Sequence, residues 1–319
     1  MKKIAVIMFW ILFLIAGCEQ ATEVPSTQEP TQVPTDTNVP PPPTYTYEPT
    51  NTEIPLTIET GTLEFDGQER NFIVFIPDNY TDEKDFPLVI YLHSYGWNAQ
   101  KGLDYTQLNQ VGNAYGFIIL YPNANRNWNS GIGDNPVYST PDIDDVGYIS
   151  ALIDAISEQY SIDQEMIYAA GYSNGGFMAY KLACQLSHRI AAIASVSGVF
   201  STSVKDNCNP TRPVPVLHIH GTKDPWVTDQ GGTGWYSVDQ TLEYWIDFNK
   251  CESSETSDLL DIDSTDGSTV EKIYYSNCAD DSNVIYYKVI GGGHTWPGAG
   301  PPGYSAGNTN QDINASEEI

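Results

Sequence analysis

The chain has 319 residues with 14 basic and 41 acidic side chains, and its formal net charge of −27 excludes the basic surface that nucleic-acid binding requires. The same charge argues against direct binding to anionic lipids, which attract Lys and Arg. Hydrophobic residues make up 40% of the chain. This content is enough to build a core, so the chain as a whole is not predicted to be disordered.

Residues 1–17 have the pattern of a secretory signal peptide. Two lysines precede thirteen apolar residues, 4–16, a run too short to span a bilayer. The run ends in Leu-Ile-Ala-Gly-Cys, which resembles the lipobox of bacterial lipoproteins. We therefore predict that Cys18 is lipidated and anchors an extracellular, cell-surface protein to the membrane. The alternative is an ordinary signal peptide that leaves Cys18 as a free thiol.

Residues 18–58 are predicted to be a disordered linker. Ten Thr and nine Pro lie between positions 21 and 57. Because Pro lacks a backbone N–H and has a fixed φ, this stretch cannot build regular ladders and favours an extended spacer. Such a segment could instead bind a partner domain, but after export we favour a tether. The residues 59–319 then form one domain.

Strand-like and helix-like patterns alternate through this domain, and Asp66-Gly67 predicts a hairpin turn. The predicted strands are 62–65, 72–76, 88–92, 117–121, 167–170, 190–195, 214–219 and 284–290. The predicted helices are 107–115, 146–160, 175–186 and 238–249. The alternation predicts an α/β fold with a mostly parallel central sheet and helices on both faces.

A candidate nucleophile, Ser173, lies where a predicted strand runs into a predicted helix. Residues 171–175 read Gly-Tyr-Ser-Asn-Gly, the G-x-S-x-G pattern in which small neighbours let the serine occupy a sharp turn. Such a turn lifts the hydroxyl above the sheet and places a helix N-terminus beside it, which favours developing negative charge. The alternative is a helix N-cap serine with glycine-rich packing.

The base that activates a serine follows it along the chain in this architecture. His294 lies in a Gly-Gly-Gly-His loop after the last predicted strand, where the glycines let the backbone bend sharply, and it is the predicted base. His188, at a helix end, is predicted to be a surface residue. His218 and His220 face the same side of one strand and could together bind a metal ion. No third ligand is visible near them in the sequence, so we favour a role in the core.

The predicted acid is Asp224, because Pro225 forces an extended conformation on it at the carboxyl edge of the sheet. Asp229, in a Gly-rich loop, and Asp239, which is expected to open a helix, are the rivals. The oxyanion hole is predicted to use the backbone amides of Asn174, after the nucleophile, and of Tyr95, in the loop after an early strand.

Several further residues are candidates for binding or covalent roles. Four cysteines in the domain allow three disulfide connectivities, and export favours disulfides over free thiols. Five tryptophans in predicted loops suit an aromatic acyl group or a sugar ring, with loop packing as the alternative. The cysteines are Cys184, Cys208, Cys251 and Cys278, and the tryptophans are Trp97, Trp128, Trp226, Trp235 and Trp296.

Two motifs are rejected as cofactor sites. Residues 298–303 match G-x-G-x-x-G, but their two prolines prevent the helix that nucleotide binding needs. Residues 261–267 carry three aspartates but miss the spacing of a calcium-binding EF-hand loop. No cofactor and no metal are therefore predicted.

Three segments in the right order resemble the secreted feruloyl-esterase and polyhydroxybutyrate-depolymerase-like esterases: GYSNGGFMAYKLAC, HGTKDPWV and GGGHTWPG, followed by TNQDINASEEI. The resemblance covers essentially residues 61–319. It implies an α/β-hydrolase fold and hydrolysis of carboxylic esters without a cofactor. Ser173, Asp224 and His294 occupy the triad positions of that family, and Tyr95 and Asn174 its oxyanion positions.

The resemblance also favours pairing of neighbouring cysteines, Cys184 with Cys208 and Cys251 with Cys278. It further implies a closing helix that includes Ile319. One departure concerns the first loop, which usually reads His-Gly in the family, whereas Ser94 occupies the second position here. A positive φ at that position would strain Ser94.

The prediction is an extracytoplasmic serine esterase that works through an acyl-enzyme on feruloyl or acetyl esters of plant cell-wall polysaccharide. The near alternatives are a polyester depolymerase, such as one acting on polyhydroxyalkanoates, and a general short-chain esterase. The distant alternative is a non-catalytic carbohydrate-binding lipoprotein. We expect a monomer that meets the membrane only through its lipid anchor and has its ester substrate as partner.

Overall fold

The structure, a computed structural model, describes residues 57–132, 143–303 and 306–319. The predicted signal peptide, the predicted lipidation at Cys18 and the linker up to residue 56 lie outside the described residues. The first strand begins at Thr57, two residues before the predicted start of the domain.

The described residues form one mixed sheet. Its strands are β1 (Thr57–Phe65), β2 (Gln68–Ile76), β3 (Phe86–Leu92), β4 (Ile118–Pro122), β5 (Ile162–Tyr172), β6 (Ala192–Val196), β7 (Val216–Gly221), β8 (Ser253–Asp258), β9 (Thr269–Ser276) and β10 (Val284–Ile290). They lie in the order β1-β2-β4-β3-β5-β6-β7-β10-β9-β8.

Helices cover both faces of this sheet. They are α1 (Ala99–Thr106), α2 (Leu108–Tyr115), α3 (Asp145–Gln159), α4 (Asn174–Gln185), α5 (Thr202–Lys205), α6 (Val238–Phe248) and α7 (Ala315–Glu318). In the part of the chain that the structure describes, no helix has the length and apolar character needed to cross a membrane.

The central strands run parallel. β4, β3, β5, β6, β7 and β10 are parallel neighbours, while the β1–β2 hairpin and the β9–β8 pair extend the two ends antiparallel. β3 and β4 are apolar and buried along almost their whole length, as expected for strands covered on both faces. The predicted α/β fold with a mostly parallel sheet is confirmed.

Two apolar layers form the core, one on each face. On β3, Leu88 and Ile90 face the layer shared with α3, α4 and α6, whereas Val89 and Tyr91 face the layer shared with α1 and α2. This division follows from the two-residue period of a strand. Because the strands between these layers are parallel, the loops after their carboxyl ends meet at one edge of the sheet.

Four elements are absent from the sequence predictions: α1, α5, β8 and β9. β8 reads SSETSD and is exposed at every position, so it has no apolar alternation to detect, and it exists through pairing with β9. In α1, Gly102 weakens the helix pattern. Its lack of a side chain is required, because a Cβ there would lie 2.4 Å from the ring of Tyr91.

Two disulfides link helix ends to nearby loops. Cys184 of α4 bonds to Cys208, and Cys251 after α6 bonds to Cys278 after β9. The predicted disulfides are confirmed, in the pairing of neighbouring cysteines. The bridged residues lie 24 and 27 positions apart in the sequence.

Replacing both cysteines of either pair with alanine should lower the free energy of unfolding by about 3 kcal/mol, because closing loops of this length restricts the unfolded chain by about that amount. Urea denaturation of each double variant beside the oxidised wild-type protein measures the difference. A double variant as stable as the wild type would contradict this expectation.

Candidate active site

Ser173 occupies a strained turn between β5 and α4. Its φ of 55° and ψ of −116° lie outside the regions that non-glycine residues ordinarily adopt. The turn is held on one side by its own N–H, which donates to the carbonyl oxygen of Val196 in the next strand at 2.8 Å. The serine therefore stands at the carboxyl end of the parallel strands, as its motif predicts.

Close backbone contacts explain the glycines of the motif. A Cβ on Gly175 would lie 1.9 Å from the carbonyl oxygen of Leu92, and a Cβ on Gly171 would lie 2.2 Å from backbone atoms of Gly175. Any larger residue at either position would push α4 away from β3 and β5. The glycines thus allow the helix N-terminus to approach Ser173 closely.

Three side chains from separate loops form one hydrogen-bonded chain. His294 Nε2 lies 2.8 Å from Ser173 Oγ, and His294 Nδ1 lies 2.6 Å from Asp224 Oδ2. Because a carboxylate can only accept, the imidazole carries its proton on Nδ1 and Nε2 accepts from the serine hydroxyl. All three side chains are buried. This arrangement can remove a proton from a nucleophilic serine.

Backbone amides orient the acid. The N–H groups of Trp226 and Val227 each donate to Asp224 Oδ1 at 2.8 Å, which leaves Oδ2 for His294. Of the rival acids, Asp239 lies in the first turn of α6, and the backbone carbonyl of Asp229 accepts from the N–H of Val238.

The loop that carries His294 is held by the C-terminal segment. The N–H of His294 donates to the carbonyl of Ala306 at 2.6 Å, and the N–H of Gly293 donates to the carbonyl of Asn308 at 2.8 Å. The carbonyl of His294 accepts from the hydroxyl of Tyr172 at 2.6 Å. A Cβ on Gly293 would lie 2.0 Å from the Ala306 carbonyl oxygen, so this close approach requires glycine.

The other histidines lie outside the triad. His188 is exposed. His218 and His220 are fully buried and their rings stack 5.3 Å apart. Burial lowers the pKa of both, most strongly that of His218, so both are neutral. Within residues 57–132, 143–303 and 306–319, no group of three or more metal-ligating side chains is present.

The loop that contains Tyr95 is fixed by His93. The Nδ1–H of His93 donates to the carbonyl of Ser94 at 2.9 Å, and its Nε2 accepts from the N–H of Ala124 at 3.1 Å. Burial lowers the pKa of His93 to about 4, so the ring is neutral and can accept on Nε2. Ser94 does not have a positive φ, whereas Gly96 does, at 67°. The strain considered for Ser94 is therefore absent.

Asn174 links the serine turn to a neighbouring loop. As the first residue of α4, it has a backbone N–H without an acceptor inside the helix. Its side-chain Oδ1 accepts from the N–H of Trp128 at 2.9 Å, and its Nδ2 donates to Ser130 Oγ at 2.9 Å. The side chain of Asn174 thus holds the loop that contains Trp128 and Ser130, while the orientation of its backbone N–H is set by helix α4.

A buried ion pair supports the same loop. Arg70 Nη2 lies 2.7 Å from Asp145 Oδ1, and Asp145 Oδ2 accepts from the N–H of Asn129 at 2.6 Å. Arg70 also donates to the carbonyl of Asn123. Sequence reasoning missed these residues and His93. Arg70 lies between Glu69 and Asn71 in the polar half of β2, so no local pattern marks it as buried.

Burial corrects the prediction for three tryptophans. Trp128 and Trp296 have no exposed surface, and Trp97 is only 9% exposed. The indole N–H of Trp128 donates to the carbonyl of His93, and that of Trp296 donates to Ser316 Oγ. These rings pack the loops against the sheet and leave too little exposed surface to contact a substrate. The prediction that these three tryptophans bind substrate is therefore wrong.

The other two tryptophans retain exposed surface. Trp226 is 57% exposed and directly follows the Asp224-Pro225 pair. Trp235 is half-buried and packs edge-on against Phe177 of α4. Trp226 is thus the tryptophan whose position and exposure best suit contact with a bound molecule.

The chain is similar to several known proteins. The family model described as Esterase PHB depolymerase matches residues 71–209. Feruloyl esterase B from Piromyces equi is 28% identical over 241 residues, covering 70% of this chain and 42% of that protein. Feruloyl esterase D from Neurospora crassa is 24% identical over 247 residues, covering 77% of this chain and 80% of that protein.

A bifunctional acetylxylan esterase/xylanase from Neocallimastix patriciarum is 30% identical over 160 residues, covering 50% of this chain and 22% of that protein. The chain spans between 22% and 66% of the length of three curated relatives that it matches. The solved structure of an acetyl xylan esterase from Aspergillus awamori shares the fold, with a TM-score of 0.54 at 16% identity over 75% of this chain and 94% of that one.

A strained serine between a strand and a helix, joined to a histidine and an aspartate from later loops of a mostly parallel sheet, defines an α/β-hydrolase. Within that class, the chain is similar to the family described as Esterase PHB depolymerase over residues 71–209 and to feruloyl esterases over most of its length.

The buried neutral histidines make stability depend on pH. His93, His218 and His220 have folded-state pKa values below the unfolded value of 6.5. The unfolded chain therefore takes up protons first as the pH falls, and stability is lost below pH 6.5. Protonation linked to His93, whose pKa falls to about 4, should lower the free energy of unfolding by about 1 to 2 kcal/mol between pH 6.5 and about 5, and His218 and His220 should add to this loss.

Urea denaturation at several pH values between 6.5 and 5 measures this loss. His218→Phe removes one of the three buried histidines. The free energy of unfolding of this variant should therefore fall less steeply with decreasing pH than that of the wild type, by the contribution of one histidine. Parallel declines for the variant and the wild type would show that His218 does not contribute.

Proposed function

We propose that the chain is an extracytoplasmic serine esterase that works through a covalent acyl-enzyme. The observation that carries this proposal is the continuous hydrogen-bonded chain from Ser173 through His294 to Asp224, at the carboxyl edge of the sheet. Similarity to the Esterase PHB depolymerase family model and to feruloyl esterases supports it. A non-catalytic carbohydrate-binding lipoprotein has no use for such an arrangement.

In the proposed reaction, Ser173 Oγ attacks the ester carbonyl carbon as its proton passes to His294 Nε2. Asp224 stabilises the imidazolium and keeps its Nδ1 proton in place. The backbone amides of Tyr95 and Asn174 are proposed to hold the oxyanion, a contribution of about 3 to 4 kcal/mol per donor in other hydrolases. His294 then returns the proton to the departing alcohol, and a water molecule activated by the same base releases the acid.

The favoured substrate is a feruloyl or acetyl ester on plant cell-wall polysaccharide. The names of the relatives support this class, as feruloyl esterases and an acetylxylan esterase. The exposed ring of Trp226 beside the acid loop, and the partly exposed Tyr95, offer flat apolar surface to an aromatic acyl group. Polyester depolymerase activity is the alternative that the family model favours.

The cellular setting is part of the same proposal. Removal of residues 1–17, lipidation of Cys18 and a Thr/Pro-rich linker up to residue 58 would hold the domain at the cell surface. The two disulfides support export. Apart from its lipid anchor, the domain is proposed to act as a monomer on its ester substrate and to need no cofactor.

Ser173→Ala should lower kcat for p-nitrophenyl acetate and methyl ferulate by about 10⁴-fold or more, because it removes the nucleophile of a unit that acts together. Steady-state assays of the purified variant, with circular dichroism to verify folding, test this. A folded variant that retained wild-type turnover would disprove the assignment, and a wild-type protein inactive on every ester would favour the carbohydrate-binding alternative.

Trp226→Ala should lower the ratio of kcat/KM for methyl ferulate to that for p-nitrophenyl acetate by about tenfold, the contribution of one aromatic contact. The backbone N–H that holds Asp224 is retained in this variant. Tyr115→Ala is the matched control, because Tyr115 is 73% exposed and lies at the opposite end of β4 from the triad. Equal ratios in both variants and the wild type would exclude Trp226 from acyl recognition.

A further inference from the structure

His220 is a buried group beside the triad that the proposed mechanism does not use. It lies on β7, four residues before Asp224, and has 1% exposure. Its Nε2 lies 2.7 Å from the carbonyl oxygen of Val227 and 3.6 Å from Asp224 Oδ2. A carbonyl oxygen can only accept, so His220 carries its proton on Nε2 and donates to Val227.

This bond closes a small clamp around the acid. The peptide N–H of Val227 donates to Asp224 Oδ1, while the carbonyl of Val227 accepts from His220. The residue that orients the carboxylate is therefore itself held from the strand that precedes it. With Oδ1 held by backbone amides, Oδ2 lies 2.6 Å from His294 Nδ1 and 3.6 Å from His220 Nε2.

Packing alone does not explain why position 220 is a histidine. Nδ1 of His220 is buried and has no hydrogen-bond partner among the described residues, and an unpartnered buried nitrogen destabilises a core. An apolar side chain of similar size would fill the space without that penalty. His218 is an internal comparison: it is equally buried, stacks on His220 and also has one unpartnered nitrogen, Nε2, but its paired nitrogen bonds to the hydroxyl of Tyr180 and not to the turn after the acid.

We propose that His220 is a positioning residue that holds the Asp224–Val227 turn and thereby aims the acid at His294. Its neutral imidazole acts as a donor of fixed direction and takes no part in proton transfer with the substrate. The inference rests on the proposed esterase function.

The test compares His220→Met with His220→Gln, two unbranched side chains of similar length. Gln supplies an amide donor for the carbonyl of Val227, whereas Met supplies none. His220→Met should lower kcat for p-nitrophenyl acetate by about 10- to 100-fold with KM within about twofold, as expected for a misplaced catalytic group. His220→Gln should recover most of that loss, and the control His218→Met should retain kcat within about threefold.

Thermal unfolding of the same variants separates positioning from packing. His220→Met loses the bond to the Val227 carbonyl but also removes the unpartnered Nδ1, so its Tm should lie within about 5 °C of the wild type while its kcat falls. A folded His220→Met with wild-type kcat would overturn the proposal. So would equal losses of kcat in the Met and Gln variants, or a loss in His218→Met as large as in His220→Met. If His220→Met does not fold, His220→Phe replaces it in the same comparison.

A readout without substrate keeps this inference separable from the proposed function. The Nδ1 proton shared by His294 and Asp224 should give a downfield proton NMR resonance, since charge-assisted hydrogen bonds are short and strong. The resonance should persist in His220→Gln and shift or broaden in His220→Met. A wild-type protein without esterase activity would refute the proposed function, whereas an unchanged resonance in His220→Met would refute the role of His220.

Discussion

The close approach of helix α4 to strands β3 and β5 is the constraint on which the site depends. It brings backbone atoms to distances that exclude any Cβ at Gly171 and Gly175, and it forces Ser173 to a φ of 55°. A strained serine persists only where its surroundings determine its conformation. Here they do so through the bond from its N–H to Val196 and the side-chain bonds of Asn174.

Hydrogen bonds and one ion pair hold the loops around the triad in place. His93 fixes the loop that contains Tyr95, the Arg70–Asp145 ion pair supports the loop bound by Asn174, and His220 holds the turn after the acid. The ion pair places charge in the core and His220 places an unpartnered nitrogen there, which lowers stability, whereas both nitrogens of His93 are paired. An oxyanion mechanism requires dipoles that are already in position before the reaction. The ion pair and His220 therefore lower the stability of the fold but hold the loops of the site in place.

Most residues of the candidate active site could be predicted from local sequence patterns. The glycines on both sides of Ser173, the proline after Asp224 and the glycines before His294 each report a backbone conformation that the fold then uses. The tryptophans were less readable, because side-chain identity does not report burial. Trp128 and Trp226 both lie in loops, yet one has no exposed surface and the other is more than half exposed.

Local patterns were enough to predict the α/β class, the order of the central elements and the three side chains that the fold brings into one hydrogen-bonded chain, because apolar periodicity and special backbone residues are local properties. The folded chain alone revealed the antiparallel β8–β9 extension, the burial of three tryptophans and the contacts of His93, Arg70 and His220. Those features arise from contacts between residues far apart in the chain or on opposite sides of a turn. Their energies come from pairing and burial, which no local pattern records.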